Sequence, residues 1–241
     1  MAIGRDTTFT WLGHAGVEIV TPGGQVILVD PWFGNPNSPR TEAQQARCDV
    51  LLITHGHFDH FDADTISLAK RTGPVMPCIH ELSLHLGVRL GEGANVIGMN
   101  KGGTVETNGL RITMVPAQHS AGDTLDADTV LYFGEPVGFV IELENGFRVY
   151  HSGDTTVFGD LALIRDLYAP ELAMLPIGGH FTMDPRAAAV AVELLGVRDV
   201  LPVHWGTFPI LVGTPTALQA ALTARGVTAT VHDWRPGDTV S

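Results

Sequence analysis

The segment Thr54-His55-Gly56-His57-Phe58-Asp59-His60 constrains this chain more than any other stretch. It puts three imidazoles and a carboxylate within six residues, directly after the apolar run 50–53. A run that is apolar at every position reads as a strand buried on both faces. The polar segment therefore stands at a strand exit. His55 and His57 are two apart, so on extended backbone they point the same way and can chelate one cation. Asp59 and His60 fall where the chain turns toward a helix, within reach of a second cation beside the first. Gly56 lets the backbone bend between these donors. The plainer readings are a polar loop without function and a single structural zinc. The density of donors argues against the first. The absence of Cys argues against the second, because structural zinc sites usually use Cys and close all four positions.

Metals held by His and carboxylate take further ligands from elsewhere in the chain. Three residues stand at the exits of other expected strands. They are His119 after the run 113–115, Asp154 after 147–150 and His204 after 200–203. Asp30 ends the run 26–29 and is a candidate to hold a metal-bound ring from behind, since such rings donate their second N–H to a carboxylate or carbonyl. His14 and His151 fall near the same rim. Trp32, Phe33 and Trp205 are candidate pocket walls, with core packing as the alternative.

Strands are expected at 8–11, 17–21, 26–29, 50–53 and 75–79, and two or three more within 96–115. A hairpin is expected over 138–151, turning at Asn145-Gly146, and further strands at 172–176, 200–203 and 228–232. Asn108-Gly109 is a second two-residue hairpin signal. Helices are expected at 62–71, 81–86, 161–168, 184–195 and 216–225, with Asp184 as an N-cap ahead of Pro185. Strand meanders alternate with strand–helix units in both halves, which predicts an α/β fold of two mixed sheets packed face to face with helices outside. No linker or low-complexity stretch interrupts residues 1–241, so one domain of two similar halves is expected.

The formal net charge is -12 at pH 7, which disfavours nucleic acid and anionic membrane as partners. Cys48 and Cys78 form no disulfide framework, and no apolar run reaches the roughly 18 residues of a membrane span. A cytoplasmic protein acting on a small molecule fits these features. Oligomeric state is open, a homo-oligomer included. The stretch 120–135 carries three Asp residues and reads as a loop that covers the site or joins a neighbouring chain.

Taken in order, His55-x-His57-x-Asp59-His60, His119, Asp154 and His204 resemble the metallo-β-lactamase superfamily. The likeness extends to Trp11-Leu12-Gly13-His14-Ala15, Asp30-Pro31-Trp32-Phe33, Tyr150-His151-Ser152-Gly153-Asp154-Thr155, Leu175-Pro176-Ile177-Gly178-Gly179 and Phe181-Thr182-Met183. These match a branch of metal-dependent hydrolases related to ascorbate-phosphate lactonase and, more distantly, to the phosphodiesterase that cleaves N-acyl-phosphatidylethanolamine. The resemblance covers residues 8–234. It implies an αββα sandwich with metals at one edge. It also implies that His55, His57 and His119 hold one ion, that Asp59, His60 and His204 hold the other, and that Asp154 bridges both. Many members of the branch carry Asp-Asn where this chain has Gly179-His180, so His180 is either a site residue or neutral variation.

Such a donor set suits zinc first, with manganese or iron as alternatives. Two divalent ions with a bridging hydroxide would cleave an ester, lactone, amide or phosphodiester bond, because metal-bound water is acidified to a pKa near ~7. Asp59 is the candidate to orient the nucleophile or move its proton, in competition with a role as ligand. The competing functions are a catalytically inactive metal-binding protein, a nuclease on the same scaffold and a di-iron oxidoreductase.

Overall fold

Short apolar runs separated by tight turns fold into two sheets built on one plan. The structure, a computed structural model, describes residues 3–126 and 129–241. In the first half, β1 (Thr8–Gly13), β2 (Gly16–Val20) and β3 (Val26–Val29) pair antiparallel, and β4 (Val50–Leu52) joins β3 in parallel. Next, β5 (Met76–Ile79) and β6 (Val96–Met99) form a parallel pair. The bridge Val50–Val75 continues β4 toward them, with Leu51 donating to the Val75 carbonyl at 3.0 Å.

The second half repeats the order. β7 (Thr104–Thr107) and β8 (Leu110–Pro116) form a hairpin. Its turn, Asn108-Gly109, has positive φ at both residues (53° and 80°), as a two-residue turn matching strand twist requires. A separate hairpin, β9 (Gly122–Asp126) and β10 (Thr129–Tyr132), follows. Then β11 (Val137–Glu142) and β12 (Arg148–His151) pair antiparallel, and β13 (Leu172–Pro176), β14 (Asp199–Val203) and β15 (Thr230–Val231) extend the sheet in parallel. Finally β16 (Thr239–Val240) returns to pair with β1.

Parallel strands need crossovers, and helices supply them. α1 (Ala63–Thr72) and α2 (His80–Leu90) serve the first sheet, and α3 (Leu161–Tyr168), α4 (Pro185–Leu195) and α5 (Pro215–Arg225) the second. Asp62 caps α1 through Thr65 N at 3.0 Å and Asp184 caps α4 through Ala187 N at 2.8 Å, each worth about 1 kcal/mol. Every residue of β4 and β13 is buried, as strands covered on both faces must be. The result is an αββα sandwich whose core draws on both sheets.

Three sequence expectations change. The stretch 120–135 is not a plain loop but carries β9 and β10, and residues 127 and 128, with one of its three Asp, lie outside the described residues. The helix expected at 81–86 starts at His80 and runs on through Gly87 to Leu90, stopping at Gly91, whose φ is 84°. The last expected strand shortens to Thr230–Val231, and β16 follows it. Among the described residues, no helix is long and apolar enough to cross a membrane.

Candidate metal centre

The carboxyl ends of β3, β4, β8, β12 and β14 converge on one rim, where side chains leaving neighbouring strands meet. Asp30 follows β3, residues 54–60 follow β4, His119 lies beyond β8, Asp154 beyond β12 and His204 directly after β14. All seven donors named from the sequence as metal ligands lie at this rim. His55, His57 and His119 offer ligand atoms within 4.8 Å of one another, and so do His14, Asp59, His60 and His204. Asp154 stands between the two groups. Its Oδ2 is 3.0 Å from His204 Nε2, 3.4 Å from His60 Nε2 and 3.6 Å from His119 Nε2.

The rings are held from behind. Asp30, fully buried, accepts from Thr54 N at 2.8 Å and from Thr54 Oγ1 at 2.6 Å. Its Oδ2 also lies 2.9 Å from His60 Nδ1. The Thr54 hydroxyl proton is spent on Asp30, so its oxygen accepts from His55 Nδ1 at 3.0 Å. One carboxylate thereby fixes two tautomers, leaving the Nε2 lone pairs of His55 and His60 for the rim. His57 Nδ1 stands 2.9 Å from His55 Nε2, and Ser120 Oγ meets His57 Nε2 at 3.3 Å. His14 is also buried. Its Nε2 contacts Asp59 Oδ2 at 2.9 Å and its Nδ1 contacts Thr207 Oγ1 at 3.0 Å. Asp59 can only accept, so His14 Nε2 carries the proton and Thr207 donates to Nδ1.

The electrostatics favour a cation. Burial lowers His55, His57 and His119, which keeps their rings neutral and able to bind metal. Burial and the neighbouring His204 bring His14 down to about 4. For His60 burial is outweighed by Asp154, Asp30 and Asp59, so without a metal the ring takes up a second proton at Nε2, the position a bound cation would claim in its place. Burial raises Asp154, but His204 and His60 overcome it and keep the carboxyl ionised. Of nine buried side-chain atoms without a partner among the described residues, three sit here: His60 Nε2, Asp154 Oδ1 and His204 Nδ1. Such groups are costly unless something else satisfies them. Imidazoles and carboxylates aimed at shared points, with orphaned lone pairs among them, are a cluster able to bind divalent metal.

Backbone strain concentrates at the same rim. His14, Asp30 and His204 have φ of 51°, 46° and 54°, a region costing a non-glycine residue roughly 1–3 kcal/mol. Gly56 answers to packing instead of bending: its φ is not positive, but a Cβ there would lie 2.6 Å from Phe133 Cβ.

A cavity of about 620 Å³ opens over the donors. It is lined by His57, Asp59, His119, Asp154 and His204 below and by Phe58, Phe181, Phe208 and Ile210 around. These walls were not among the sequence candidates. Phe33 and Trp205 are core residues, and Trp32 supports the wall by meeting Phe58 edge-on at 5.7 Å. His151 is fully buried and does not line the cavity. It bonds Ala15 O at 3.1 Å and accepts from Gly153 N at 3.1 Å, tying β12 to the β1–β2 turn. His180 is exposed, with φ of 60°, and joins neither donor group; its neighbour Phe181 lines the cavity instead. Nothing in residue type or spacing marked Phe181, Phe208 or Ile210, because each comes from a loop whose path depends on distant packing.

Comparison with known proteins agrees with this geometry. Residues 25–205 match the β-lactamase superfamily domain. The UPF0173 metal-dependent hydrolase of Koribacter versatilis is 48% identical over 236 residues, covering 96% of this chain and 97% of its own. A metal-dependent hydrolase of Korarchaeum cryptofilum is 43% identical, covering 95% and 96%. The solved structure of a metallo hydrolase from the archaeon Ignicoccus hospitalis superposes with a TM-score of 0.84 at 35% identity, covering 97% of each chain. With five strand exits delivering this donor set on an αββα sandwich, the chain belongs to the metallo-β-lactamase superfamily and is one of its metal-dependent hydrolases.

Proposed function

We propose that the chain, as one hydrolase domain over residues 1–241, works with two divalent ions and cleaves uncharged esters, lactones or amides. His55, His57 and His119 would hold one ion. Asp59, His60 and His204 would hold the other, and Asp154 would serve both. The position of Asp154 Oδ2, within 3.0–3.6 Å of rings from both groups, carries this reading. Zinc, manganese and iron all suit the donors. When bound, such ions acidify water to a pKa near ~7 and polarise the scissile carbonyl.

The remaining work falls to side chains. Asp59 is ionised: burial raises it, but His60 and His14 more than offset this. His14 fixes Oδ2, which leaves Oδ1 free toward the rim. That oxygen is available either to the ion or to the attacking water, so the two roles compete for it; in the second, Asp59 would orient the water, accept its proton and pass it to the leaving group. Phe58, Phe181, Phe208 and Ile210 bind the apolar part of the substrate and exclude bulk water. The charged side chains lining the cavity are acids and imidazoles, with no Lys or Arg among the described residues to meet a phosphate. Bound ions would supply positive charge at the reacting group itself, so the lining bears on the rest of the substrate and favours one whose other groups are apolar and uncharged.

The test combines metal analysis with a panel of ester, lactone, amide and phosphodiester chromogens. Two ions per chain with turnover confined to neutral apolar acyl substrates is the expected result. A fully metallated sample that turns over nothing would favour the inactive binder. An iron-loaded sample with an oxygen-sensitive visible spectrum would favour redox chemistry.

A further inference from the structure

At the pole opposite the histidine rim lies a second cavity, of about 390 Å³, with the reverse chemistry. Four guanidinium groups line it, from Arg5, Arg148, Arg165 and Arg198, against one carboxylate, Glu171. Only 14 Lys and Arg occur in the whole chain, which carries a net charge of -12. Four cations in one cavity of so acidic a protein is a local inversion of charge.

The sheet builds this arrangement. Arg148 opens β12, and Glu171 and Arg198 immediately precede β13 and β14. Their backbones are neighbours: Glu171 N donates to Arg148 O at 2.8 Å and Arg198 N to Glu171 O at 3.2 Å. The parallel strands therefore point their amino ends here and their carboxyl ends at the donors, roughly 15 Å away by strand rise. Glu171 is already engaged by Arg5 at 2.6 Å, and Arg165 by Asp166 at 2.8 Å. Arg148 and Arg198 have no side-chain partner among the described residues, and Arg148 Nε is buried without any partner. The carboxyl ends of α3 and α4 face the cavity and their partial negative charge offsets part of the cationic lining, but no described hydrogen bond runs from these guanidinium groups to a carbonyl.

We propose that this cavity binds a small phosphorylated anion, held by Arg148 and Arg198 with Arg5 and Arg165 at its margin. Arginine forks match phosphate oxygens two at a time, and such charge-assisted bonds are about twice as strong as neutral ones. Arg148 Nε gains the partner it lacks, and the repulsion among the four cations is relieved. The pocket over the histidines, acidic and apolar, has none of these features.

Titration calorimetry with inorganic phosphate and with pyrophosphate, at fixed ionic strength, tests the site. One saturable site per chain is expected, with pyrophosphate the tighter ligand. Arg198→Gln should weaken it by about tenfold and Arg148→Gln by more, since a lost charge-assisted bond is worth that much or more. Arg198 is exposed and unpaired, so its variant should melt with the parent protein. His57→Ala, at the opposite pole, should bind pyrophosphate as the parent does. Absence of saturable binding would overturn the site. So would an Arg198→Gln protein that folds and binds unchanged, or binding lost in His57→Ala but retained in the arginine variants, which would assign the anion to the histidine rim.

Discussion

The two donor groups at the rim differ in how the fold holds them. His60 and His204 are 0% and 2% exposed, and the Asp30 carboxylate behind His60 is fully buried. His57 and His119 are more exposed and line the cavity, and His57 is held only by a neighbouring ring, His55 Nε2 at 2.9 Å, and by Ser120 Oγ at 3.3 Å. The deep group is thus part of the folded core, with three carboxylates gathered around one ring. The open group presents two rings, His57 and His119, to the substrate space, with His55 buried behind them. His60 therefore cannot be removed without disturbing the fold, whereas His57 can.

The largest effect follows directly. In metal-free protein His60→Ala leaves Asp30, Asp59 and Asp154 without the ring that lies among them, and breaking such a buried arrangement costs about 3–5 kcal/mol. His57→Ala removes no charge compensation and should change metal-free stability by about 1 kcal/mol or less, although both variants should lose nearly all activity. Urea unfolding with chelator present, alongside metal content, separates them. Equal destabilisation by the two substitutions would break the contrast.

Asp30→Asn sharpens it. Asn can still accept from Thr54 but no longer offers a carboxylate to His60, so the deep ring loses its fixed tautomer. Loss of such an outer partner typically costs 10–100-fold in metal affinity or activity. The expected loss falls on the ion that His60 would hold, read by competition with a chelator. Equal weakening of both ions would mean that the Thr54 relay to His55 matters as much as the direct bond to His60.

Much of this was legible in the chain because it depends on residue type at a strand exit. His55, His57, Asp59, His60, His119, Asp154 and His204 each follow an apolar run, and the local pattern alone places them at sheet ends. The Asn108-Gly109 and Asn145-Gly146 turns were legible for the same reason. What long-range packing decides was not. The β9–β10 hairpin has no clean alternation to announce it, and the helix expected over 81–86 passes on through Gly87. Gly56 looked like a hinge, and only the approach of Phe133 from 77 residues away gives the reason it lacks a side chain. The arginine cavity was equally hidden, since Arg5, Arg148, Arg165 and Arg198 share no spacing.

That packing supplies the next test. Gly56→Ala sets a methyl against Phe133, and overpacking of this kind costs typically about 1–3 kcal/mol. The strain falls between His55 and His57, so the open ion should weaken while His60 and His204 keep theirs. Metal stoichiometry dropping from two toward one, in a protein that still folds, is the expected reading. Retention of both ions at parent affinity would show that Phe133 moves aside freely.

The smallest effect comes from His151, which belongs to neither group. Burial lowers its pKa, only partly offset by Asp30, so the native ring stays neutral where an unfolded one, near 6.5, takes up a proton. The unfolded state then binds more protons, and stability is lost as pH falls below 6.5. His151→Gln can still donate to Ala15 O and accept from Gly153 N, so it removes the titration while keeping the tie between β12 and the β1–β2 turn. In chelator-treated protein the acid limb of stability against pH should become shallower by at most one proton, ~1.4 kcal/mol per pH unit. Above pH 7 the two proteins should unfold alike. An unchanged acid limb would place the whole of the acid sensitivity on the donor rings themselves, and the deep group would then owe nothing to the wall behind it.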